Sequence, residues 1–196
     1  MVQNNPPKPR GRPRTFDPAD ALKAASERFR THGYAGTSLD DLVDATGLAR
    51  PSLYAAFGDK RALYLAALDR TIDRVGKGFD TLIASDLPLR ESLTAMFRFV
   101  IDGYLTGEAG PSGCIMVSTS ATRAVDDPVV RERLAAFLAI EDERIAALLA
   151  TRGDAHAATH APLVTAVIHS LSVRARAGAP REELDAIAEA CITLIA

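Results

Sequence analysis

Apolar residues along this chain recur at spacings of three and four, and no stretch alternates with the two-residue period of a strand. The pattern predicts helices throughout. A first helix over about 17–31 buries Leu22, Ala25 and Phe29; Asp17 caps it, Pro18 takes its first position, and Gly33 follows its end. In a second helix Leu39, Leu42 and Val43 form one apolar stripe. Thr37 and Ser38 each precede an Asp by three positions (Asp40 and Asp41), the spacing of a capping box. Thr46-Gly47 ends that helix, because Gly accepts the left-handed conformation of a tight turn. The third helix opens on Pro51, where a missing N–H costs nothing, and turns Leu53 and Phe57 inward. Arg50, Pro51, Ser52, Tyr54 and Ala55 are left on its outer side.

A fourth helix runs from Asp59 to about 84, with Leu63, Ala66, Ala67 and Ile72 inward; Gly76 and Gly78 are expected to loosen its distal half. Leu87-Pro88 opens a fifth, to about 106. After the loop GEAGPSG a sixth covers about 113–123. Asp126-Asp127-Pro128 starts a long seventh, to about 151. The break RGDAHAATHAP precedes an eighth at about 160–177, and Gly178-Ala179-Pro180 leads into a ninth. No internal repeat is present. The expected fold is all-α.

A short helix with an apolar back and a basic, hydroxylated front, set behind a glycine turn, is what a helix-turn-helix lays in the major groove of DNA. The set Gly33-Tyr34, Thr37-Ser38, Leu42, Gly47-Leu48, Pro51, Leu53-Tyr54, Phe57, Lys60 and Leu63 resembles the DNA-binding domain of TetR-family transcriptional regulators over about residues 15–62. Two positions depart from the common pattern. Ala49 stands where the family usually has a Ser that caps the recognition helix, and Ala56 where a His often precedes the Phe. The resemblance implies a three-helix DNA-binding domain at 15–62, behind a basic arm at 1–14, joined to a helical-bundle ligand-binding and dimerisation domain at 63–196. The expected contacts to double-stranded operator DNA are Thr37, Ser38, Arg50, Pro51, Ser52, Tyr54 and Lys60, with Arg10 and Arg12 from the arm.

Charge agrees with that end of the chain. Residues 1–61 hold ten Lys/Arg against seven Asp/Glu, and the remainder thirteen against eighteen, within a net charge of −2. Phosphate contact dominates affinity for DNA, so the positive end belongs with the helix-turn-helix. In the arm, Pro9-Arg10-Gly11-Arg12-Pro13 matches the pattern in which two Arg flank a Gly thin enough for a narrow A·T minor groove. The alternative is a solvated tail that adds nonspecific phosphate attraction.

Composition bounds the rest. No run approaches the ~18 consecutive apolar residues of a membrane span. The basic N-terminus lacks the apolar region of a secretory signal. Two distant cysteines make no disulfide framework, and the cytoplasm of a prokaryote is the expected compartment. Nothing supports an enzyme: there is no Gly-rich phosphate loop, nucleophile elbow or paired carboxylates with an acid/base partner.

Helices five to eight of such a bundle can enclose a small-molecule site. The candidates are Phe97, Tyr104, Met116, Ser120, Phe137 and His169, with Met96, Arg123 and Glu141 in a wider set; for each Met and Phe, core packing is the alternative. Arg123 is expected on the surface, and His169 either in the core or as a pocket polar group. A neutral or weakly polar, partly aromatic effector fits this set. His156 and His160 have the four-residue spacing of metal ligands, and Cys114 and Cys191 are soft donors, but no metal or cofactor is assigned. Helix eight carries Leu163, Val164, Val167, Ile168, Leu171 and Ala175, and helix nine Leu184, Ile187, Ala188, Cys191, Ile192 and Ile195. Two such helices from each of two chains can close a four-helix interface, as in the family's usual homodimer, through Leu163, Val167, Leu171, Leu184, Ile187 and Cys191. Alternatively both helices complete the monomer's core. The expected function is a ligand-responsive repressor released from an inverted-repeat operator, with the sign of control left open. A metal- or redox-sensing regulator of the same fold, or a DNA-binding protein without an effector, are the alternatives.

Overall fold

The computed structural model describes residues 16–196. Among the described residues there are nine α-helices and no strand: α1 (Pro18–His32), α2 (Leu39–Thr46), α3 (Arg50–Phe57), α4 (Lys60–Ile83), α5 (Leu89–Tyr104), α6 (Ala121–Arg123), α7 (Pro128–Thr151), α8 (Ala157–Arg176) and α9 (Arg181–Ile195). A π-helical turn, Met116–Ser120, runs directly into α6.

The N-termini follow the capping chemistry written in the chain. Asp17 accepts the N–H of Ala19 at 2.8 Å, Asp59 that of Ala62 at 2.7 Å, and Asp127 those of Val129 and Val130. Ser38 and Asp41 form a reciprocal capping box on α2. Gly47 closes α2 in the left-handed conformation, its N–H on the carbonyl of Val43.

One continuous core joins the helices. Phe29, Leu42, Leu53, Leu63, Tyr64 and Leu68 fill the space between α1, α2, α3 and the first half of α4. Leu93, Phe97, Ile101, Phe137, Ile145, Ile168 and Leu184 continue it through α5, α7, α8 and α9. α4 packs along both α1 and α7, so it is the shared rod between the two ends.

Three expectations about elements need correction. α4 is unbroken to Ile83 despite Gly76 and Gly78, and Arg152 at the end of α7 gathers the carbonyls of Leu82, Ile83 and Ser85 at the helix terminus. The expected sixth helix starts only at Ile115, since residues 112–114 form an irregular segment packed against α8. There Gly113 has φ +65°, and an added Cβ would lie 2.6 Å from the carbonyl oxygen of Ser172. The N–H of Cys114 donates to Ser172 Oγ at 2.8 Å. α8 starts at Ala157, ahead of Pro162, which the helix takes inside it. The carbonyl that Pro162 leaves unpaired belongs to exposed Ala158, open to water.

Candidate nucleic-acid interface and effector cavity

α3 sits on the core through Leu53, with Leu48 beneath its start. Arg50, Pro51, Ser52, Tyr54 and Ala55 are all exposed, so the outer face expected from spacing is the outer face of the folded chain. Ala49 gives α3 no side-chain cap. Arg50 donates to the Asp40 carboxylate of α2 at 2.5 Å, an exposed pair that neutralises part of the surface. Ser38 is exposed, but its hydroxyl is engaged with Asp41. Thr37 is corrected outright: it is buried, and its hydroxyl donates to the Gly33 carbonyl at 2.7 Å, which holds the turn between α1 and α2. Lys60 opens α4, half-buried, with its ammonium 4.4 Å from the ring centroid of Tyr34. Burial lowers its pKa. Arg10 and Arg12 lie outside the described residues.

The surface carrying α3 is fastened to the rest of the molecule by four arginines. Arg61, in the first turn of α4, pairs with Asp127 at the N-terminus of α7, and Arg123 reaches the same carboxylate at 3.6 Å. The Arg61 hydrogen bond pulls the Asp127 carboxyl down to about 2. Arg123 also lies 5.1 Å from the Tyr34 ring centroid; it is therefore at this junction and not on open surface. From the end of α8, Arg176 donates to the carbonyls of Arg30 and Thr31 at 2.9 Å, satisfying the unpaired C-terminal groups of α1. Arg30 itself donates to the carbonyls of Gly103 and Gly113 at 2.9 and 3.3 Å.

A cavity of about 720 Å³ opens between α4 and α5, with α1 and α7 closing its ends. That volume lies within the range of small-molecule sites. Tyr104 and Phe137 line it as expected, as do Met96 and Glu141 of the wider set. Phe97, Met116 and Ser120 do not; each is fully buried in the core, and Ser120 donates back to the Met116 carbonyl at 2.6 Å. His169 is also outside the lining. Its ring stacks on Phe137, and its Nε2 contacts Glu141 Oε2 at 2.7 Å. Burial raises the Glu141 pKa against the lowering effect of that histidine. The sequence reading missed the α4 and α1 walls: Arg70, Arg74, Val75 and Phe79, with Lys23, Glu27 and Arg30. The available signal was Gly78 and Gly103, whose missing side chains leave room between α4 and α5.

The α8–α9 expectation divides in two. Leu171 and Leu184 are fully enclosed within the single chain, and Cys191 is nearly so; all three pack in the monomer's core. Leu163, Val173 and Leu194 are exposed, and Val167 and Ile187 are half-buried at the edge of the core.

Among the described residues no three His, Cys, Asp or Glu side chains are placed to hold a metal ion. His160 Nδ1 is engaged by Asp154 at 2.8 Å. Cys114 and Cys191 are buried free thiols whose pKa burial raises, the direction opposite to an activated thiolate. No described helix is long and apolar enough to cross a membrane.

Comparison with known proteins bears on this arrangement directly. Residues 21–67 match the family model for bacterial regulatory proteins, tetR family. The HTH-type transcriptional repressor ComR of Escherichia coli (strain K12) is 35% identical over 194 residues, which is 95% of this chain and 92% of that protein. The HTH-type transcriptional repressor BdcR of the same strain is 28% identical over 188 residues, 96% of this chain and 93% of that protein. Among solved structures, a cysteine mutant of the TetR family transcriptional regulator CifR, complexed with 26bp double-strand operator DNA, is similar with a TM-score of 0.73 at 30% identity, covering 95% of this chain and 100% of that one.

Proposed function

The chain belongs to the TetR family of bacterial transcriptional regulators, and on that premise we propose that it is a dimeric repressor which leaves an inverted-repeat operator when a small molecule enters the α4–α5 cavity. Residues 15–62 form the DNA-binding domain, 63–196 the effector and dimerisation domain, and 1–14 an arm that adds contacts beside the major groove. α3 enters the groove with Arg50, Ser52 and Tyr54 toward the bases, while Pro51, Ser38 and Lys60 approach the phosphates. Exposed Leu163, Val173 and Leu194, with Val167 and Ile187, make the contact between two copies. A twofold dimer requires a twofold operator. The protein acts in the cytoplasm, where its DNA lies.

The observation that carries the ligand response is Arg30. It belongs to α1, lines the cavity, and holds the carbonyls of Gly103 and Gly113 at the cavity's far wall. A molecule that moves the wall therefore moves α1, and with it the seat of α3. A ligand can shift the equilibrium only by its differential affinity for the two arrangements, roughly 5.5 kcal/mol for a swing from 1:99 to 99:1. The deciding experiment couples a thermal-shift screen to operator binding by fluorescence anisotropy. Compounds that stabilise the protein are expected to weaken operator binding in the same order. Stabilising compounds that leave operator affinity unchanged would contradict the ligand response.

A further inference from the structure

We propose that the effector is an amphipathic monocarboxylate: an apolar chain or ring system ending in one carboxylate, which binds Arg70 and Arg74 while its body lies against Met96, Tyr104 and Phe137. The inference rests on the reading of the α4–α5 cavity as the regulatory site.

α4 has two differently furnished edges. Toward α7 its acids are matched, Asp69 by Arg133 at 2.7 Å and Asp80 by Arg144 at 3.2 Å. Toward α5 it offers Arg70 and Arg74, four residues apart and so on one face, and both line the cavity. Among the described residues neither meets a carboxylate or a carbonyl acceptor. By contrast Arg30, Arg152 and Arg176 each donate to two or more backbone carbonyls. Guanidinium groups present paired N–H donors that match the two oxygens of a carboxylate. Arg74 lies 6.0 Å from the ring centroid of exposed Phe99 at the cavity mouth, which places its charge at the rim. Lys23 of α1 adds a further positive group to the lining, beside Arg30, which is paired with Glu27.

The carboxylates of the lining fix the ligand's polarity. Glu27 is already paired with Arg30. Glu141 is deeply buried beside Tyr104 and Phe137 and is held by His169. A second anion at that end would meet an existing carboxylate, whereas an apolar tail meets Met96, Tyr104 and Phe137. The charge of the ligand is thus outward and its apolar end inward. A cationic amphiphile has the reverse match, and a neutral one leaves the two guanidinium groups bonded only to water. The expectation of a neutral or weakly polar, partly aromatic effector rests on helices five to eight, whereas Arg70 and Arg74 belong to α4.

Three probes with one ten-carbon chain test the assignment on the full chain: decanoate, 1-decanol and decyltrimethylammonium. Calorimetry gives each affinity, and anisotropy of a labelled operator gives each effect on DNA. Decanoate is expected to bind about tenfold or more tighter than decanol, and the ammonium not at all. The double variant R70Q/R74Q should lower decanoate affinity to that of decanol while decanol affinity changes less than about twofold, which also reports an intact cavity. Equal binding of decanol and decanoate, unchanged decanoate binding in the double variant, or no binding of any probe would each overturn the proposal. Decanol releasing operator as well as decanoate does would leave the regulatory cavity standing and remove the carboxylate. Decanoate binding that depends on Arg70 and Arg74 but leaves operator affinity unchanged would keep the site and remove its regulatory role.

Discussion

Arg61 and Asp127 meet at two points: Nε and Nη2 of the arginine donate to the two carboxylate oxygens at 2.9 and 2.8 Å, joining the first turn of α4 to the start of α7. The same carboxylate caps α7 through the N–H groups of Val129 and Val130. One side chain therefore fixes where α7 begins and where the helix after the recognition helix lies.

Replacing Asp127 by Asn keeps a good capping residue and removes the charge. The Asp127 carboxyl is depressed from an ordinary 3.8 to about 2, so its stabilisation is fully present above the ordinary value and is lost as pH falls through the folded one. Wild type should exceed D127N in stability at neutral pH, and the gap should close between about pH 4 and pH 2. Urea unfolding at three pH values checks this; a gap that does not narrow would assign the effect to something other than the ion pair.

On α3, Tyr54→Ala and Arg50→Ala should each cost about 1–3 kcal/mol in specific binding, whereas Lys60→Ala should weaken all sequences alike. Asp40→Asn should tighten binding to every sequence, because Asp40 both occupies Arg50 and presents a negative charge to phosphate. Salt-dependent anisotropy on operator and scrambled DNA separates the two classes.

For the arm, deletion of residues 1–13 should lower affinity and also reduce preference for A·T-rich flanks if Arg10 and Arg12 enter a minor groove. Equal loss on all flanks would make the arm a nonspecific tail.

Assembly is tested at positions chosen by exposure. Leu194→Glu and Val173→Asp should yield folded monomers that bind operator weakly, since both residues are exposed on α8 and α9. Leu171→Ala lies in the monomer's core and should cost about 2–5 kcal/mol of stability without a specific change in association. Sedimentation equilibrium and thermal melts of the three variants distinguish the cases; a monomeric wild type at micromolar concentration would remove the interface.

What the chain reveals on its face is local. Asp17, Ser38, Asp59 and Asp127 all cap the helices their positions announce, and Leu53 and Phe57 correctly orient α3, because caps and three-to-four spacing act within one turn. What spacing leaves undecided is which of two apolar faces a neighbour covers. On α8, Val164, Ile168, Leu171 and Ala175 turn inward while Leu163 and Val173 turn outward, and the choice depends on α5 and α9. Gly113 was illegible for the same reason: its left-handed backbone answers Ser172, nearly sixty residues away. The cavity is a gap between α4 and α5, so its arginine wall shows only once the two helices are set side by side.

Recognition of a twofold DNA site by α3 of a paired chain is tested most directly by selection from a random double-stranded DNA pool. Wild type should enrich an inverted repeat with half-sites about one helical turn apart, roughly 34–36 Å, or a multiple of it, and Tyr54→Ala should lose that enrichment. A pool that enriches no repeat, or the same repeat with Tyr54→Ala and Arg50→Ala as with wild type, would contradict it.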